Sequence, residues 1–238
     1  MRRSKLVRCI TLVAAVLCVA SLAIAQDTFT LTGANPNNNS YGSVYVSPYT
    51  ATITDDGSTV FSGEVICDDY YNDVSVGDWW YVQPESLPGS DSGAMFASSI
   101  PDPYCPTSTC TSQQDYNAVA WLAEQLLALP LTDSYDQAVD SYAIWTIFDK
   151  GALGDASGIS GAVTAEISTA FAATASGYSG PTVTIWTPTS TTPPGSAAVP
   201  QEFIAISAPE ASLAETLALS LSTLLGVIFL LRRRLARG

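Results

Sequence analysis

The chain has 238 residues, a net charge of −13 at pH 7 and no histidine. Its length is sufficient for one domain with a substantial hydrophobic core. The absence of histidine excludes a Ser-His-Asp triad and the usual histidine-ligated zinc sites, and the acidic balance disfavours nucleic-acid binding because it repels phosphate backbones.

The first 25 residues have the composition of a secretory signal peptide. Basic side chains cluster before residue 9, an apolar run covers residues 9–22, and an Ala-Ile-Ala sequence at 23–25 forms a small-residue cleavage site. This order is typical of a segment that is removed after export. The sequence therefore predicts a signal peptide at 1–25 and an exported domain at 26–207.

Charge is distributed unevenly along the chain. Eight of the nine lysine and arginine residues lie before residue 26 or after residue 207, which leaves Lys150 alone in the exported domain. Of the 22 acidic residues only Glu210 and Glu215 lie outside that domain, so 20 remain within it. The exported domain is thus strongly acidic, which favours solubility and association with cations.

The first half of the exported domain has the pattern of short β-strands. Runs of β-branched and aromatic residues, several with alternating polarity, are separated by turn-forming Asn, Asp, Gly and Pro residues. The predicted strands cover residues 28–32, 43–47, 50–54, 59–66 and 79–83. Residues 84–112 show no periodicity and are rich in Pro, Ser and Gly, which predicts a long surface loop.

Three cysteines remain after removal of the signal peptide. Cys105 and Cys110 enclose a short loop, and export to an oxidising compartment favours a disulfide between them. The apolar neighbours of Cys67 predict a buried free thiol at the end of a strand. A zinc site is disfavoured, because three thiols at these spacings lack a fourth soft ligand.

The middle of the chain changes to helical periodicity. A first helix is predicted over residues 113–129 and ends before Pro130, and a second helix begins after an Asp133 N-cap. A third helix is predicted over residues 160–175 from its alanine content and its apolar residues at four-residue spacing. Large side chains of the first two helices should pack against the sheet; they are Trp121, Tyr142, Trp145 and Phe148.

Two further strands are predicted at residues 182–187 and 202–207, on either side of a Pro- and Thr-rich segment at 188–200. That segment is typical either of a hairpin loop or of a glycosylated stalk, and the apolar strand after it favours the loop. The predicted fold class is α+β. It consists of an antiparallel, sandwich- or barrel-like sheet with about three inserted helices, followed by one C-terminal transmembrane helix.

Two segments of the domain resemble the thioester domains of bacterial surface adhesins. An Ile-Cys-Asp-Asp sequence at 66–69 and an Ala-Ile-Trp sequence at 143–145 follow the order of that family. In the family a Cys is cross-linked to a Gln, so the resemblance implies a reactive group at Cys67. This chain has Ser141 in the position of the Gln, which removes the amide. Gln137 lies one helical turn earlier on the same face and would allow only a shifted cross-link.

Acidic residues follow Cys67 closely. Oxygen ligands at short spacing suit Ca²⁺, so Asp68, Asp69 and Asp73 are candidate calcium ligands, although the spacing and the bidentate Glu of an EF-hand are absent. A solvated acidic loop explains the same residues. A glycosidase needs only two carboxyl groups, but no pair among the 20 acidic residues is distinguished by its spacing. The sequence therefore predicts no catalytic residue and no cofactor, and leaves Ca²⁺ at these three aspartates as an alternative to the acidic loop.

The last 31 residues have the composition of a membrane anchor. An Ala-Pro-Glu-Ala-Ser sequence at 208–212 precedes an apolar run at 213–231 and an arginine-rich end at 232–238. At about 1.5 Å per helical residue the apolar run spans about 28 Å, which covers a hydrocarbon core, and the arginines remain cytoplasmic. The alternative is an amphipathic core helix with a basic end, but no polar stripe recurs after Thr216.

The tail resembles the PEP-CTERM sorting signal of bacteria, in which a Pro-Glu-Pro motif, an apolar helix and an arginine-rich end are processed by an exosortase-type membrane protease. Here the motif consists of Pro209, Glu210 and Ala211, with alanine in place of the second proline. The resemblance implies an inner-membrane precursor with a periplasmic domain and a mature form at the cell surface or outside the cell. The membrane stop would be formed by Arg232, Arg233 and Arg234.

These features predict a non-enzymatic exported protein of the cell surface or the extracellular matrix, with a structural or adhesive role in the envelope, biofilm or exopolysaccharide. The expected partners are the membrane, an exosortase-type protease, and exopolysaccharide or other surface proteins. Two alternatives stay open. One is a reactive thioester adhesin that uses Cys67, and the other is a carbohydrate-active enzyme that uses Asp and Glu.

Overall fold

The computed structural model describes residues 26–34, 39–98, 105, 110–189 and 199–206, and these ranges form eight strands and four helices. The strands are β1 (Asp27–Gly33), β2 (Ser40–Tyr41), β3 (Val44–Tyr45), β4 (Tyr49–Asp55), β5 (Ser58–Cys67), β6 (Trp79–Leu87), β7 (Val183–Pro188) and β8 (Phe203–Ile206). The helices are α1 (Ser112–Ala128), α2 (Ser134–Phe148), α3 (Gly151–Asp155) and α4 (Ser160–Ala173).

Six strands close into an antiparallel barrel in the order β1-β4-β5-β8-β7-β6. Side chains of a strand point alternately to its two faces, so every second residue enters the barrel. Aromatic rings fill much of the interior: the ring of Phe29 stacks on Trp80 at 4.7 Å and on Phe203 at 4.9 Å between centroids. The predicted antiparallel, barrel-like sheet is confirmed.

The four helices lie between β6 and β7 in the chain, and they form a layer on one side of the barrel. The strand residues that alternate with the interior ones face this layer, and Ile66, Ile185 and Ile204 are fully or almost fully buried there. The residues buried between the sheet and the helices form a second hydrophobic core, beside the one inside the barrel. At about 25 cal/mol per Å² of buried apolar surface, burial in this second core makes a major contribution to the free energy of folding. The predicted α+β class is therefore present, with the helices inserted between two parts of one sheet.

Local sequence signals explain where the two long helices begin. Thr111 and Gln114 form a capping box at the start of α1, and the Asp133 carboxylate accepts a hydrogen bond from the Asp136 N–H at 3.2 Å at the start of α2. Each cap satisfies N–H groups that have no partner within the helix. The five-residue helix α3 was not predicted, because it contains Gly151 and Gly154, which have low helix propensity.

The strand predicted over residues 43–47 is wrong in its placement. This region instead forms the small hairpin β2–β3, which is a separate two-stranded sheet outside the barrel. Gly42 turns the chain with a φ of +66°, and the Asn39 side chain donates a hydrogen bond to the Gln137 side chain of α2 at 2.6 Å. The hairpin is thereby held against the helical layer rather than in the sheet.

Strand β6 is longer than predicted and continues to Leu87 in spite of Pro84. Pairing of β6 with β1 covers only residues up to Val82, so at Pro84 β7 is the one described strand paired with β6 and the β1 side is an edge. A proline is tolerated on such an edge because its missing N–H is not needed there. The prediction that β7 and β8 form an antiparallel hairpin pair is confirmed by their register.

The structure contains the disulfide predicted between Cys105 and Cys110, with Cα atoms 5.7 Å apart. None of the helices in the described part of the chain is both long enough and apolar enough to cross a membrane. The predicted signal peptide at 1–25 and the predicted tail at 208–238 lie outside the described residues.

Candidate functional site

The site lies where strand β5 ends, at Cys67. Alternation directs the Cys67 side chain into the barrel and places Ile66 and Asp68 on the side of the helices. The Cys67 backbone carbonyl accepts a hydrogen bond from the Trp145 indole N–H at 2.8 Å. The Ile-Cys-Asp-Asp and Ala-Ile-Trp segments, which carry the thioester-domain resemblance, therefore meet in space.

An open cleft of about 160 Å³ lies beside Cys67. Its walls are formed by the hairpin β2–β3, the loop that follows β5 and the segment that precedes β8, together with side chains of β4 and α2. Its lining combines aromatic rings with carboxylate and amide groups. The principal side chains are those of Tyr45, Tyr49, Tyr70, Asp73, Trp145 and Gln201.

The Cys67 thiol is free in the structure and 2 % exposed. It donates a hydrogen bond to the Asp69 carbonyl at 3.1 Å between sulfur and oxygen. Burial raises the pKa of this thiol well above its usual value, and the negative charge of Asp69 raises it further. The thiol is therefore protonated at neutral pH and is a poor nucleophile in this state.

Gln201 lies close to Cys67, although the sequence did not single it out. The Gln201 side-chain amide donates to the Asp69 carbonyl at 3.1 Å, and this is the same oxygen that accepts from the Cys67 thiol. It also donates to the Asn72 carbonyl. Gln201 reaches this position because β8 pairs with β5 through Phe203 and Cys67, a long-range register that has no signal in the local sequence.

The two side chains considered from the resemblance have other partners. Ser141 Oγ accepts a hydrogen bond from the Ser47 backbone N–H at 3.0 Å. Gln137 is fully buried, accepts from Asn39, and donates to the Pro130 carbonyl at 3.4 Å. Because Gln137 lies eight residues before Trp145, it is displaced by about 12 Å along α2 from the side chain that contacts Cys67.

The three candidate calcium ligands occupy different environments. Asp69 is almost completely buried and accepts hydrogen bonds from the Tyr71 N–H at 3.1 Å and the Asn72 side-chain amide at 2.6 Å. Asp73 is exposed at the cleft, whereas Asp68 is turned toward the helices. Within the described ranges no group of three or more acidic or sulfur side chains is arranged to hold a metal ion. Calcium binding stays a prediction of the sequence.

Asp68 belongs to a buried carboxyl pair with Glu202, and both residues are 0 % exposed. Glu202 accepts hydrogen bonds from the Met95 N–H at 2.7 Å, from the Tyr116 hydroxyl and from the Thr187 hydroxyl. Burial raises the pKa of Asp68 well above its usual value, and the negative charge of Glu202 raises that pKa further. Asp68 is therefore protonated at neutral pH.

Neither side chain of the carboxyl pair has access to solvent, so the pair lies beneath the surface rather than in the cleft. It connects the end of β5, the start of β8 and helix α1. No local sequence pattern indicates the pair, since Asp68 and Glu202 are separated by more than half of the chain.

No family model matches this sequence, and no similar curated protein or solved structure was found. The residues predicted for sorting and membrane retention lie outside the described ranges; they are Pro209, Glu210, Ala211, Arg232, Arg233 and Arg234.

Proposed function

We propose that this chain is a non-enzymatic exported protein of the cell surface or extracellular matrix. Its precursor is held in the inner membrane by a helix at 213–231, with the domain in the periplasm, and an exosortase-type protease processes the tail. The observation that carries the proposal is the disulfide between Cys105 and Cys110, because such bonds persist in oxidising compartments. The signal-peptide composition and the uneven distribution of charge support the same location.

Lys150 offers a direct test of topology, because it is exposed and is the one lysine of the exported domain. The full chain would be produced in a Gram-negative host, and spheroplasts would be treated with an amine reagent that does not cross membranes. We expect labelling of Lys150 without cell lysis, and a mature chain that begins at Gln26. Labelling that requires lysis would contradict the proposal.

Two variants that introduce the same charge at different positions serve as test and control. Val16→Arg places a charge in the apolar part of the signal peptide and is expected to prevent labelling of Lys150 in intact spheroplasts. Val60→Arg introduces the same charge at a side chain that is 54 % exposed in the folded domain, and labelling should be unchanged.

The second candidate function is that of a reactive adhesin, and one observation favours it. The Cys67 thiol and the Gln201 amide donate to a single carbonyl oxygen, that of Asp69, so the two side chains lie close together. Attack of the sulfur on the Gln201 side-chain carbonyl would form a thioester, with the amide nitrogen and the thiol proton leaving in ammonia. In the thioester-domain family the cross-linked Gln stands at the position of Ser141. In this chain Gln201 would provide that amide instead.

Counting thiols separates the two candidates. For the non-enzymatic protein we expect that alkylation of the unreduced chain labels only Cys67 among residues 26–207, and only after unfolding, because the thiol is buried and the other two cysteines are paired. Intact mass should show no loss of ammonia. An unlabelled Cys67, a mass lower by one ammonia, and a gain of one methylamine with release of the thiol on treatment with methylamine, all absent in Gln201→Ala, would establish the adhesin instead. Gln137→Ala is the matched control.

A further inference from the structure

The cleft beside Cys67 combines two features that recognise a cationic sugar. Tyr45 and Tyr70 line it with aromatic surface, and the Tyr45 side chain is 50 % exposed and therefore accessible to a ligand. Asp73 contributes an exposed carboxylate to the same cleft. An aromatic face attracts a cation through its quadrupole, and a carboxylate binds an ammonium group by a charge-assisted hydrogen bond.

The hairpin backbone and the Tyr70 ring are held in place before any ligand arrives. The Tyr49 hydroxyl donates to the Tyr45 carbonyl at 2.7 Å and thereby fixes the hairpin at the rim of the cleft. The Tyr70 ring packs against Trp145 at 5.4 Å between centroids, and its hydroxyl donates to Asp155 at 2.7 Å. Binding therefore requires little ordering of the Tyr70 side chain and of the hairpin backbone, which lowers its entropic cost.

Charge decides which sugar fits. The cleft is lined by Asp69 and Asp73, and Lys150 is the one cationic side chain in the described ranges. A sugar acid would be repelled, whereas a sugar with a free amino group would be attracted. The volume of about 160 Å³ is below the 300 to 1,000 Å³ that typically encloses a whole small ligand, so the cleft suits one ring of a polymer.

We propose that this cleft binds an amino-sugar unit of a polysaccharide, with its free ammonium group on Asp73 and its ring against Tyr45 and Tyr70. The inference rests on the proposed surface or matrix function and names the ligand class of that site. The strongly acidic domain increases the local concentration of such a cationic polymer, and the cleft selects the sugar unit.

The test measures binding of a glucosamine tetramer to the purified full chain in neutral detergent by calorimetry, at about 0.15 M salt so that long-range attraction is screened. We expect binding of this probe and much weaker binding of the N-acetylglucosamine tetramer, which lacks the charge. Tyr45→Ala and Asp73→Asn should each lower the affinity about two- to thirtyfold. Both substitutions are at exposed positions, and circular dichroism would verify that the variants fold.

Matched controls are available on other parts of the domain. Tyr135→Ala removes a ring that is 54 % exposed, and Asp56→Asn removes an exposed carboxylate in the β4–β5 turn. Both should leave the affinity unchanged. Equal binding of tetralysine, equal binding of the acetylated tetramer, or equal losses in the control variants would overturn the proposed site. Labelling of Lys150 is independent of this assay, so failure of the ligand assignment is distinguishable from failure of the export proposal.

Discussion

Replacement of Trp145 by alanine is expected to lower the free energy of unfolding by about 3 to 5 kcal/mol. The side chain is 2 % exposed and lies between the rings of Tyr70 and Tyr142. Its loss leaves a large cavity between α2 and the barrel. It also leaves the Cys67 carbonyl without the indole N–H that donates to it, and a buried acceptor without a partner costs about 1 to 3 kcal/mol.

Urea unfolding of three variants would separate these contributions. Trp145→Phe retains most of the packing but removes the donor, so its loss of stability should be about 1 to 3 kcal/mol. Trp121→Ala removes the same volume from a side chain of α1 that is only partly buried, and the loss should be smaller than for Trp145→Ala. Equal losses in Trp121→Ala and Trp145→Ala would contradict the central position of Trp145 in the core.

The domain is expected to lose stability as the pH rises from about 5 to about 8. Burial raises the pKa of Asp68 and of Glu202, and burial together with the charges of Glu166, Asp136 and Asp133 raises the pKa of Asp140 to about 7. A carboxyl group whose pKa is raised by folding favours the folded state while it is protonated. That advantage is lost as the pH rises from the unfolded value through the folded value.

The expected change of the unfolding free energy with pH is large enough to measure. One carboxyl group that is protonated in the folded state and ionised in the unfolded state changes stability by about 1.4 kcal/mol per pH unit, so Asp140 contributes about 2 to 3 kcal/mol between pH 5 and 7. Asp140→Asn and Asp68→Asn should each flatten the dependence of unfolding free energy on pH. Asp56→Asn, at an exposed position, should leave it unchanged. Stability that is constant or rises over this range would contradict the assignment.

Strands and helices with strong local signals could be predicted from the sequence. The Asp55-Asp56-Gly57 turn is an example, since Asp56 and Gly57 both have positive φ values, +45° and +79°, which suits a tight hairpin turn between twisted strands. The Asp133 cap is another, because its side chain satisfies an N–H group of the next turn. In these places the residues that decide the structure are neighbours in the chain.

The site was only partly predictable, because it depends on register between distant segments. Cys67 and Trp145 were identified from the sequence, and the structure places them in contact. Gln201 and Glu202 were not, since their positions follow from the pairing of β8 with β5. Tyr45 was assigned to a strand of the sheet. Tyr45 instead lies at the rim of the cleft, because the hairpin β2–β3 is a separate sheet outside the barrel.

The position of β8 has a mechanical consequence for a tethered protein. This final strand lies between β5 and β7, and the chain beyond Ile206 leads to the predicted anchor. Tension on a tether would act along β8 and load the lateral hydrogen bonds to both neighbours simultaneously, in shear, rather than peeling an edge strand one bond at a time. The hydrogen bonds of Glu202 to Tyr116 and Thr187 lie at the far end of the strand from the tether and resist its withdrawal. In a surface protein that is tethered in this way, the drag of flowing liquid would act on a strand that is paired on both sides.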